Sequence, residues 1–117
     1  MTDKRYLVAL PVSSLDREGR PLPEGRVREW SERAQKEMTR LFGGATVLAA
    51  PGSSAVVDGA TERGQALVIS VCDDRESFLR RRADVHRLAE DVKAGLDQET
   101  ALVLGFASDS FLIEDEA

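Results

Sequence analysis

A single cysteine, Cys72, and a single histidine, His86, stand in a chain of 117 residues. One cysteine closes no internal disulfide, which agrees with a reducing compartment. One cysteine and one histidine also cannot make the usual nitrogen and sulfur ligand set of zinc within one protomer, so no metal site is expected. No apolar run approaches the roughly 20 residues that cross a bilayer, so no membrane span is expected. The opening "MTDKRYLVALPV" enters a strand-like pattern within a few residues, with neither the longer apolar segment nor the small-residue cleavage site of an export signal. A cytoplasmic location is the expectation. A net charge of −5 leaves no broad attraction to nucleic acid. Aromatic residues make up only 5% of the chain, and of the two central strands the third has no aromatic and the first only Tyr6 to stack a base, so nucleic-acid binding is not expected. No glycine-rich phosphate loop is present: Gly43-Gly44 follows a helical pattern and leads into a strand, the reverse of a P-loop.

What is present reads as one soluble α+β domain spanning residues 1–117, with 42% hydrophobic and 32% charged residues. Tyr6 to Val12 is a compact aliphatic run closed by Pro11 and the polar "SSLDREGRPLPEG", hence a strand and a long loop. Val27, Trp30, Ala34, Met38 and Leu41 then recur at three- and four-residue steps, one stripe of a helix starting near Pro23 and stopped by Gly43-Gly44. Glu29 with Arg33, and Glu32 with Lys36, have the spacing of ion pairs on its wet side.

"ATVLAA" reads as a second strand, bent at Pro51-Gly52 and resuming through "SAVV"; "DGATERG" turns the chain back into "QALVISVC", a third strand paired as a hairpin. Asp73 stands three residues before Glu76, a capping-box spacing that starts a second helix with the stripe Phe78, Val85, Ala89, Val92 and Leu96. "ETALVLGF" is the fourth strand, "ASDS" a turn, and "FLI" a short fifth piece before the acidic end. The order β, α, β, β, α, β points to the ferredoxin-like arrangement: a four-stranded antiparallel sheet with two helices on one face. Right-handed crossovers put the first and third strands in the middle.

Side chains alternate along a strand, which divides the third strand into Leu67, Ile69 and Val71 on one side and Ala66, Val68, Ser70 and Cys72 on the other. The bulky set is expected beneath the helices and the Val68 set on the open face. In the first strand Tyr6, Val8 and Leu10 oppose Leu7 and Ala9, again without charge. An uncharged open face invites cover, either by a second copy in a homodimer or by the C-terminal "FLIED" of the same chain.

The densest chemistry lies in "CDDRESFLRRRADVH", residues 72–86. A strand-to-helix junction favours a thiolate, but Asp73 and Asp74 oppose it. His86 lies on the order of 15 to 20 Å further along the helix, too far to serve as the thiol's base. Cys72 is therefore read as a small strand side chain and His86 as a surface residue, with no catalytic residue and no cofactor expected. Successive helical residues turn by about 100°, so Arg80, Arg81 and Arg82 fan around the axis as a collar. Arg80 and Arg87 point outward beside Glu76, Asp84 and Asp91; Arg82 projects near Phe78 and Val85.

"LFGGATVLAAPG", the hairpin through Glu62, "ALVISVCDD" and "DQETALVL" together resemble a set of small uncharacterised bacterial βαββαβ proteins. That set runs a helix, a glycine-rich turn, a strand ending in glycine, a hairpin with an acid, a strand ending at an acidic cap, then Gln-Glu before the last strand. The resemblance covers about two-thirds of the chain and implies the fold but no activity. Where many of the set carry an aromatic after the hairpin glycine, Ser53 and Ser54 stand here. The expected function is a small non-enzymatic, homo-oligomeric module that binds a protein partner or small ligand, such as an accessory or regulatory subunit, with Arg80, Arg82, Arg87, Tyr6 and Val68 as partner-binding candidates. The alternative is a small dimeric α+β barrel-type enzyme or ligand-binding protein. It would need a polar group projecting into a cavity between sheet and helices, for which His86, Tyr6 and Arg82 are the candidates.

Overall fold

The computed structural model describes residues 3–49, 54–57, 60–63 and 66–110. Strand β1 (Asp3–Val12) leads through an ordered loop into helix α1 (Glu24–Phe42), then β2 (Thr46–Ala49). A ribbon of β3 (Ser54–Val57) and β4 (Ala60–Arg63) precedes β5 (Ala66–Cys72), and helices α2 (Arg75–Arg80) and α3 (Arg82–Gly95) precede β6 (Leu104–Ser110). The main sheet is antiparallel in the order β2-β5-β1-β6, with the helices on one side, so the first and third strands of the sheet are central as the crossover rule requires. This is the ferredoxin-like fold. None of its helices, among the described residues, is long and apolar enough to cross a membrane.

Local chemistry explains most of the boundaries. Helix α1 buries Ala34, Met38 and Leu41, with Val27 and Trp30 packed alongside. It ends where Gly43 adopts φ 89°, a left-handed cap whose N–H bonds back to the Thr39 carbonyl at 2.8 Å. The loop after β1 is long but tied down. Asp16 Oδ1 accepts from the N–H groups of Glu18 and Arg20 at 2.9 Å, and Gln98 Nε2 donates to the Leu15 carbonyl. Gln98, from the Gln-Glu pair before the last strand, thus clamps a distant loop.

Several sequence expectations are corrected. "SAVV" does not extend β2; it pairs with residues 60–63 in a separate two-stranded ribbon inserted between β2 and β5. The expected bend at Pro51-Gly52 lies outside the described residues. The second helix is capped by Asp74, not Asp73: Asp74 Oδ1 accepts from the Ser77 N–H at 2.8 Å and its hydroxyl at 2.9 Å, while Asp73 pairs with Arg5 at 3.1 Å. That helix also breaks at Arg81, whose N–H bonds to the Phe78 carbonyl at φ −101°, ψ 2°, before the ladder resumes. The last strand starts at Leu104 rather than Glu99 and takes in 107–110. The "FLI" piece lies outside the described residues.

The largest correction concerns the two sides of the sheet. Ala66, Val68, Ser70 and Cys72 lie beneath the helices, and Val68 is completely buried against a core of Val8, Leu10, Val12, Met38 and Leu96. Small side chains there leave room for the bulk the helices bring, and Ser70 is satisfied by donating to the Gly44 carbonyl at 2.8 Å. The bulky set faces away from the helices. Val68, expected on the open face, belongs to the core.

Candidate functional site

Cross-strand partners share a face, so the register writes out the open side of the sheet row by row. One row is Leu48, Leu67 and Pro11; the next is Thr46, Ile69, Ala9 and Leu104; the third is Val71, Leu7 and Phe106. Among the described residues, four of the six large hydrophobics that stand exposed are here: Leu48, Val71, Leu104 and Phe106. No charged side chain enters these rows, and Arg5, paired with Asp73, marks one end. The face the sequence foresaw as uncharged exists, built from the opposite set of β5 residues.

The second feature is a cleft of about 710 Å³ on the helix side, between β1, β6 and the α2–α3 segment. Its floor is apolar, with Phe78, Val85, Ala89 and Val103. Tyr6 stacks on Phe78 with ring centroids 5.4 Å apart and an interplanar angle of 28°. Gly105 makes this placement possible: a Cβ there would lie 2.7 Å from the Tyr6 hydroxyl oxygen. Arg75, Arg82, His86, Glu90, Lys93 and Glu99 form the polar wall, with His86 Nε2 3.4 Å from Glu90 Oε1.

The structure therefore brings Tyr6, Arg82 and His86, the polar candidates of the enzyme or ligand-binding alternative, into one cleft. Sequence reasoning missed their neighbours Phe78, Glu90, Lys93 and Gly105. A signal was available for two of them: Arg82, His86, Glu90 and Lys93 follow steps of four, four and three, one helix stripe beside the buried Val85, Ala89 and Val92. The close approach of Tyr6 to Phe78 depends on tertiary packing and carries no such signal.

The other arginines do not join this cleft. Arg80 donates to the Ser77 hydroxyl at 3.3 Å and lines a shallow hollow beside Cys72, whereas Arg87 lines a groove between α1 and α3 and stands 3.9 Å from Asp84. Of the expected collar, Arg80 and Arg81 line the same hollow and Arg82 the cleft, while Arg87 lies in the groove between the helices. Glu29 and Arg33 pair at 3.2 Å as their spacing suggested, and the Arg33 guanidinium also lies over Trp30 at 4.8 Å. Cys72 is buried, and desolvation, then Asp74 and Asp73, push its thiol above the ordinary range. Among the described residues, no group of three His, Cys, Asp or Glu side chains converges as metal ligands would.

No protein-family model and no curated protein matches the sequence. Solved structures match in fold. A phage SAM lyase in complex with S-methyl-5'-thioadenosine aligns over 92% of this chain and 90% of its own, with a TM-score of 0.56 and 12% identity. A phage SAM lyase in the apo state aligns over 98% and 94%, at 0.51 and 14%. The divalent cation tolerance protein CutA1 from Thermus thermophilus aligns over 96% and 87%, at 0.47 and 16%. At these identities the likeness is one of fold.

Proposed function

We propose that the protein is a small self-associating module of the reducing cytoplasm that pairs through its open sheet face and binds a small ligand or a protein partner. The observation that carries the proposal is the concentration of exposed Leu48, Val71, Leu104 and Phe106 on one uncharged face. Magnitude sets the kind of association. Four strands about 4.8 Å apart, over seven residues of about 3.3 Å each, span roughly 440 Å², so two copies bury about 900 Å². Stable interfaces bury roughly 1,200–2,000 Å², so pairing should depend on concentration. Sedimentation velocity over a dilution series tests this: the wild type should move from dimer to monomer, and Phe106→Lys should remain monomeric throughout. A wild type that stays monomeric at the highest concentration refutes the proposal.

A second reading is favoured by the meeting of Tyr6, Arg82 and His86 in one cleft. There the module is a ligand-binding protein or small enzyme, with the Tyr6–Phe78 pair as an aromatic wall. A structure of similar fold holds S-methyl-5'-thioadenosine, which makes that nucleoside the first ligand to try. Calorimetry with wild type and Tyr6→Ala tests it. Saturable binding lost in the variant supports the reading, and no heat with either protein removes this nucleoside as the ligand.

A further inference from the structure

We infer that the cleft between β1, β6 and the α2–α3 segment binds a flat organic anion, its ring over the apolar floor and its head group held by Arg82, with Arg75 and Lys93 adding positive charge from either end of the cleft. The inference rests on the second reading above and adds the chemical class of the ligand. Charge is the first argument. Three permanent cations line the cleft against two carboxylates, in a chain whose net charge is −5. One of those carboxylates, Glu90, is already engaged by His86. Among the described residues, Arg75, Arg82 and Lys93 have no carboxylate within ion-pair distance, although many of the chain's other basic side chains do.

Shape is the second argument. The cleft volume falls within the roughly 300–1,000 Å³ of small-molecule sites, and its floor is aromatic and aliphatic. Gly105 and Tyr6 interlock, so the aromatic wall is already in place before a ligand arrives. Cations around an apolar floor suit a molecule with an anionic end and a planar body. They suit neither a free metal ion nor a neutral aliphatic chain. Carboxylate and phosphate heads share the chemistry the three cations offer, with arginine able to hold either through two parallel hydrogen bonds.

The test is an amide-resolved NMR titration of the full chain with 1-naphthyl phosphate, 1-naphthoate, 1-naphthol and inorganic phosphate. At least one naphthyl anion should shift Phe78, Arg82 and Gly105 saturably, with affinity about tenfold or more above both 1-naphthol and inorganic phosphate. The tighter of the two naphthyl anions identifies the head group. Arg82→Ala with Lys93→Ala should cost that anion about tenfold while leaving 1-naphthol binding within about twofold. Shifts that map to the open sheet face, no saturable shift, or a double variant that binds the anion like the wild type overturn the inference. If 1-naphthol binds the cleft as well as either anion, the ligand site stands and its anionic character falls. Sedimentation of the same samples reports self-association separately, so loss of pairing is not mistaken for loss of binding.

Discussion

The two faces of the one sheet carry similar apolar character and opposite fates. Beneath the helices, β5 contributes Ala66, Val68, Ser70 and Cys72, all buried; on the far side Leu67 and Ile69 are half-buried and Val71 is 50% exposed. The smaller set is inside because the helices supply their own bulk through Met38, Leu41, Leu88 and Val92. The larger set is outside, where among the described residues only strand neighbours shield it. Ala9 shows the effect of that shielding: it lies on the open side yet is only 6% exposed, between Ile69 and Leu104. Size alone therefore does not report which side of a sheet is the core.

The contrast can be broken most strongly at Leu10, fully packed on the covered side. Leu10→Ala should lower unfolding free energy by about 2–5 kcal/mol, measured by urea denaturation at a concentration where the protein is monomeric. A sharper comparison uses one isosteric change on both faces. Val68→Thr buries a hydroxyl and should cost about 1–3 kcal/mol, whereas Val71→Thr should change monomer stability by less than about 0.5 kcal/mol. Equal costs would mean the faces are assigned the wrong way round.

Smaller effects belong to the strand-to-helix junction that joins the two faces. The N–H and hydroxyl of Ser77 hold the Asp74 carboxyl below its ordinary value of 3.8. Its folded-state value is depressed, so its stabilisation is present above that ordinary value and is lost as pH falls through the lowered one. Asp74→Ala should therefore be less stable than wild type at pH 7, with the gap closing in acid, as pH-dependent thermal melts can show. Cys72, on the covered side and with its thiol held protonated, should react with iodoacetamide at pH 7 far more slowly than in the denatured chain. A native rate close to the denatured one would place the thiol outside the core.

Much of this architecture can be read from residue spacing. The stripe from Val27 to Leu41, the stop at Gly43 and the order of strands and helices all follow from local rules. The face assignment does not, because both parities of β5 are uncharged and only packing against the helices distinguishes them. Neither glycine nor proline marks the break at Arg81, and its flanking arginines are ordinary helix formers. The late start of β6 escapes for a related reason: "ETALV" runs without a break into the apolar "LGF", yet only residues from Leu104 onward pair with β1. Of the cleft, the stripe of Arg82, His86, Glu90 and Lys93 is legible, while the contact of Tyr6 with Phe78 and Gly105 arises only once β1, β6 and α2 have come together.

The central claim is that a second copy covers the open face. Methyl relaxation by a soluble nitroxide, recorded at high and low protein concentration, addresses it directly. Leu48, Ile69, Val71 and Leu104 should be shielded at high concentration and relaxed on dilution, while Leu10 and Val68 stay shielded in both. Open-face methyls that are relaxed equally at the two concentrations would contradict the account.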